Sequence, residues 1–66
     1  MSKSKLRVAR DRAGVTQEDV ARVAGLSVAH YARIERGDSQ PKMSTKRKIA
    51  AALSVSVERV FERVEV

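Results

Sequence analysis

Apolar residues recur along this chain at helical intervals, and the stretches that carry them are separated by glycines and small polar residues. Leu6, Ala9 and Ala13 fall on one face of a first amphipathic stretch, and Val20, Ala21 and Ala24 on one face of a second. Tyr31 and Ile34 mark a third, Ile49, Ala50 and Leu53 a fourth, and Val57, Val60 and Phe61 a fifth. Three- and four-residue spacing stacks side chains on one side of a helix, so each stretch is read as a helix with one buried face. The breaks agree. Gly14 suits a left-handed C-cap. Thr16 stands as an N-cap, with Glu18 and Asp19 in the first turn, where acids favour the positive end of the helix dipole. Gly25-Leu26-Ser27 forms the next break, with Ser27 as N-cap, and Gly37 closes the following helix. Asp38-Ser39-Gln40-Pro41 is a loop, Ser44 reads as a cap, and Ser56 caps a last short helix. The predicted helices are 3–13, 17–24, 28–36, 43–53 and 57–62. The alternation in Val64-Glu65-Val66 predicts an extended tail or short strand. Residues 1–66 are read as one all-α domain.

The segment from Thr16 to Gly37 places two short helices on either side of a turn containing Gly25, as a helix-turn-helix requires. At about 100° per residue, Tyr31 and Ile34 point inward. The opposite side carries Ala29, Ala32, Arg33 and Arg36, with Val28 and His30 on its flanks. A solvated helix face usually shows Glu and Lys. Here two alanines let the helix approach a surface while two arginines project past them. Arg bonds bidentately to guanine O6 and N7, and Ala and Val contact thymine methyls.

Charge sharpens this reading. The 66-residue chain carries a formal net charge of +6. Residues 3–48 hold 12 Lys/Arg against 5 Asp/Glu, whereas residues 49–66 hold 2 against 3. The positive field therefore belongs to the part that contains the helix-turn-helix, which points to nucleic acid. Exposed stacking rings, the usual mark of RNA readers, are not expected, since Tyr31 and Phe61 are both placed in the core. The chain has no cysteine, so disulfides, thiolate metal sites and thiol nucleophiles are excluded. His30, the only histidine, is read as a surface or phosphate contact rather than a metal ligand. Ser27 and Ser44 lack a general base nearby in sequence. No enzyme activity, cofactor, metal or small-molecule ligand is expected. With no membrane span or signal peptide in the pattern, a cytosolic, nucleoid-associated protein of a prokaryote is expected.

From Leu6 to Phe61 the chain resembles the Cro/C1-type (XRE-like) helix-turn-helix family of phage repressors and bacterial transcriptional regulators. The residues that carry the resemblance are Arg10, Gly14-Val15-Thr16-Gln17-Glu18, Val20-Ala21, Gly25-Leu26-Ser27, Ile34-Glu35-Arg36-Gly37, Pro41, Ile49-Ala50, Leu53 and Val55-Ser56-Val57. It implies a compact five-helix, lambda-repressor-like fold whose third helix reads the major groove. It also implies a phosphate contact for Gln17, base or nearby backbone contacts for Ser27, Val28, Ala29 and Arg33, and sugar-phosphate contacts for Ser39, Gln40 and Lys42. Ala24 and Tyr31 depart from the pattern, standing where the family has a larger aliphatic and isoleucine; the two changes offset in volume. Lys46 and Arg47 occupy positions usually apolar in helix 4. They either snorkel past the core or mark a changed partner surface.

The expected partner is double-stranded DNA, read by a homodimer on a pseudo-palindromic operator. Helix 5 and the tail 63–66, near neutral in charge, are the expected dimer contact. A DNA-binding antitoxin that holds a toxin protein is the alternative. Glu35 is expected to pair with Arg10. A carboxylate in the last turn of a helix meets the negative end of the dipole, and by angle Glu35 faces inward beside Tyr31. An acid placed so needs a partner, and the Arg10 fork can grip it bidentately. The resemblance implies the same pair.

Overall fold

The computed structural model describes residues 4–61. Among these it contains five helices: α1 (Lys5–Ala13), α2 (Gln17–Ala24), α3 (Val28–Arg36), α4 (Met43–Ala52) and α5 (Val57–Phe61). No strand occurs among the described residues, so the fold is all-α as expected. The expectations for residue 3, for residue 62 and for the tail 63–66 lie outside the described residues. None of the described helices is long and apolar enough to cross a membrane.

The chain sets the helix ends as its punctuation predicts. Ser4 accepts the Arg7 N–H at 3.0 Å and starts α1 at Lys5. Thr16 and Asp19 form a reciprocal capping box: the Thr16 hydroxyl accepts the Asp19 N–H at 3.0 Å, and the Asp19 carboxylate accepts the Thr16 N–H at 3.1 Å. These bonds satisfy two of the donors that every helix start leaves open. They also hold the Asp19 carboxyl below its usual range, the Thr16 backbone N–H contributing most. Gly25, at φ +73°, ends α2 in the left-handed conformation that a residue with a Cβ resists. The chain turns through Leu26 into Ser27, whose hydroxyl caps α3 by accepting the His30 N–H at 3.1 Å.

Three details differ from the pattern. The N-cap of α4 is Lys42, with no side-chain cap bond, and Ser44 lies inside the helix rather than capping it. Leu53 is the C-cap of α4, and the chain then leaves through Ser54 at φ +59° rather than through a glycine. Ala13 is exposed, at the last residue of α1.

The core comprises Leu6, Val20, Ala21, Ala24, Tyr31, Ile34, Ile49, Ala50, Leu53 and Val60. Ala9, Val57 and Phe61 pack at its edge, half-buried. Helix α2 packs against both α3 and α4, while α5 closes the bundle against α1 and α4. Tyr31 is completely buried beside the small Ala21 and Ala24 of the same cluster, consistent with the expected offset in volume. Lys46 is half-buried, with its ammonium 5.6 Å from the centre of the Phe61 ring, a cation–π distance. Its stem thus runs along the apolar edge, while Arg47 is exposed.

Candidate nucleic-acid interface

Helix α3 has two unlike faces. Tyr31, Ile34 and Glu35 are buried on one. On the other, Val28, Ala29, His30, Arg33 and Arg36 are exposed; Val28 retains 40% of its surface. Ala32, expected on the outward face, is half-buried and lies on the border. The Arg33 side chain makes no hydrogen bond or ion pair among the described residues. Arg36 donates through Nε to Asp38 at 3.1 Å, but both side chains are about 60% exposed, so solvent screens this bridge and it holds Arg36 weakly. Beyond Gly37, Ser39 is half-buried, and Gln40 and Lys42 are exposed. Lys42 is the N-cap residue of α4, whose first-turn N–H groups lack a side-chain cap. An exposed cationic residue and open backbone donors thus share this end of the loop.

The inward face is fixed by one carboxylate. Glu35, only 6% exposed, accepts a hydrogen bond from Arg10 Nε at 2.8 Å and one from Arg10 Nη2 at 3.3 Å. It also accepts from Gln17 Nε2 at 3.0 Å and from the Tyr31 hydroxyl at 2.8 Å. Arg10 Nη1 donates to the Val15 carbonyl at 3.0 Å, just before the α2 capping box. Arg10 and Glu35, paired on sequence grounds, thus meet as an ion pair that ties α1 to α3. Burial is the strongest single influence on the Glu35 carboxyl and pushes it up; the hydrogen bonds from Arg10, Tyr31 and Gln17 together outweigh it and leave it below the usual range. The Tyr31 hydroxyl is driven well above its ordinary range, first by burial and then by its bond to the carboxylate. No buried side-chain polar atom among the described residues lacks a partner.

Two members of this cluster were not expected there. Gln17 was read as a phosphate contact, and one of its amide N–H groups also donates to Glu35. Tyr31 was read as core alone. Its hydroxyl was legible in principle, since Tyr31 and Glu35 stand four residues apart on one helix, the spacing at which side chains meet. Among the described residues no group of three or more His, Cys, Asp or Glu side chains is arranged to hold a metal ion.

An arginine-bearing helix set across a capped partner by a glycine turn is the layout of a DNA-binding helix-turn-helix. Residues 6–60 match the family model described as helix-turn-helix. The chain belongs to the XRE-type helix-turn-helix family. It is 36% identical over 59 residues to the uncharacterized HTH-type transcriptional regulator YgzD of Bacillus subtilis, covering 89% of each chain. It is 31% identical over 61 residues to the HTH-type transcriptional regulator DdrOP3 of Deinococcus deserti. That match covers 92% of this chain but spans only about half, 47%, of the relative's length.

Proposed function

We propose that this chain is a sequence-specific, double-stranded-DNA-binding transcriptional regulator. It acts as a repressor and reads a pseudo-palindromic operator as a homodimer, with α3 in the major groove. The observation that carries this reading is the division of α3: an inward face pinned by Glu35, and an outward face of Val28, Ala29 and an unengaged Arg33. Membership of the helix-turn-helix family and the regulators among its relatives support the same reading. Arg33 is the base reader, donating to a guanine, and Val28 and Ala29, with Ala32 at their border, contact thymine methyls. Gln17, Ser27, His30, Arg36, Ser39, Gln40 and Lys42 contact the backbone and set the register. The activity is one of binding rather than catalysis.

The test is to select bound sequences from a random duplex pool with the wild-type protein and with Arg33→Ala. The wild type should enrich a two-fold symmetric motif with half-site centres about 34 Å apart. Arg33→Ala should relax the preference at one base pair per half-site, by about 1–3 kcal/mol. Failure to enrich any motif would overturn the reading. An unchanged motif from Arg33→Ala would remove Arg33 as the base reader.

A further inference from the structure

We propose that the Tyr31 hydroxyl is a positioning group for the phosphate-binding end of α2, acting on Gln17 through Glu35. The inference rests on the DNA-binding reading above and goes beyond it, because it gives a core tyrosine a role at the DNA backbone.

The argument begins with how the carboxylate is filled. An ionised carboxylate has about four acceptor positions, and four donors occupy them. Oε2 takes Tyr31 Oη and Arg10 Nε, both at 2.8 Å, while Oε1 takes Arg10 Nη2 at 3.3 Å and Gln17 Nε2 at 3.0 Å. The two short bonds are therefore on Oε2. The Tyr31 ring is completely buried, so its hydroxyl, together with the Arg10 fork, holds Oε2 in place. Holding Oε2 fixes the carboxylate plane, and the plane decides where Oε1 presents itself to Gln17.

Gln17 is the first residue of α2. With one amide N–H held by Oε1, the planar amide is set, and its second N–H has a defined direction. The backbone N–H groups of Gln17 and Glu18 belong to the open first turn of the helix; the capping box engages only the N–H groups of Thr16 and Asp19. A phosphate approaching this end meets an amide whose rotamer freedom is already removed before binding, which is the gain that preorganisation brings. Arg10 makes the arrangement compatible with an anion. It neutralises Glu35, and its remaining arm holds the Val15 carbonyl immediately ahead of the cap.

The test compares four proteins: wild type, Tyr31→Phe, Gln17→Ala and the double variant. Affinity is read by fluorescence anisotropy on a random-sequence duplex of about 30 base pairs at low salt, since a phosphate contact acts on any sequence. Circular dichroism fixes a temperature at which all four are folded. Tyr31→Phe keeps the ring and should weaken binding about three- to tenfold, the scale of one hydrogen bond. Gln17→Ala should weaken it similarly, and the double variant should bind no worse than Gln17→Ala alone. A Tyr31→Phe protein that is less heat-stable but binds as tightly as wild type would make Tyr31 a core filler and overturn the inference. Equal losses in the presence and absence of the Gln17 amide would also overturn it. If the wild type itself did not bind duplex DNA, the DNA-binding reading would fail, and this inference with it.

Discussion

Replacing Arg10 by methionine keeps most of the aliphatic stem and removes the guanidinium, leaving Glu35 charged, buried and short of two of its four donors. Removing one member of a buried ion pair costs about 3–5 kcal/mol. Two features reduce that figure. The Arg10 side chain is 14% exposed, so some of its interaction is screened already, and Gln17 and Tyr31 still donate to the carboxylate. Loss of the Nη1 bond to Val15 acts in the other direction. The expected cost is about 2–3 kcal/mol. A chain of 66 residues has a total stability of roughly 3–10 kcal/mol, so at the low end of that range the variant lies close to unfolding at room temperature. Urea denaturation reads this directly: with a slope of about 1 kcal/mol per molar, the midpoint should fall by roughly 2–3 M. The cycle with Glu35→Gln then isolates the pair, because the neutral amide no longer needs the cation. Arg10→Met should be much less damaging in the Glu35→Gln background. Costs that add within about 0.3 kcal/mol would mean the two side chains are independent, whatever their distance.

Acid should destabilise the protein through the same carboxylate. In the unfolded chain Glu35 takes a proton near pH 4.3, while in the folded protein it stays ionised to lower pH. Its contribution is thus fully present above that value and is lost as pH falls through the folded pKa. Urea midpoints measured from pH 7 downward should show a shallower acid limb for Glu35→Gln; an unaltered slope would contradict the assignment. Part of the acid limb should remain in that variant, because Asp19 is also held low by its cap. DNA affinity should fall steeply with salt. A dimer neutralising roughly 6–10 phosphates gives a slope of about −5 to −9 in log affinity against log salt, and titrations across salt concentrations would expose a flat dependence.

Much of the fold was legible because it rests on local rules. Gly14, Gly25 and Gly37 all take positive φ at helix ends, and Thr16 and Ser27 both cap through their hydroxyls. The buried faces of α2, α3 and α4 follow from spacing alone. The misses have tertiary causes. Ala13 satisfies the periodicity of α1, but periodicity cannot tell that the core stops short of its final residue. Ser44 has the chemistry of a cap, yet the helix begins two residues earlier than such a role requires. Lys46 interrupts an apolar stripe and is accommodated by Phe61, a residue fifteen positions away that sequence spacing does not link to it. For the candidate interface, the outward residues of α3 and the Arg10–Glu35 pair could be read from angle and charge. The inclusion of Gln17 depends on how three helices converge, which no single stretch of sequence encodes, whereas the Tyr31 hydroxyl follows from its four-residue spacing to Glu35 within α3.

The two faces of α3 also carry separate obligations. Everything that holds the helix in place lies at Tyr31, Ile34 and Glu35, or in the flanking Ser27 and Gly37. The side chains of Val28, Ala29, His30 and Arg33 bear none of that structural duty. On the proposed reading Val28, Ala29 and Arg33 face the bases and His30 the backbone, and all four positions can be rewritten together while the chassis beneath them is left alone. A library randomised at these four residues should therefore stay mostly folded, and new DNA preferences would be obtained by screening on one fixed scaffold. The same layout gives natural variants of such a chain a short route to diverge in what they read, since altering these positions does not oblige the core to change.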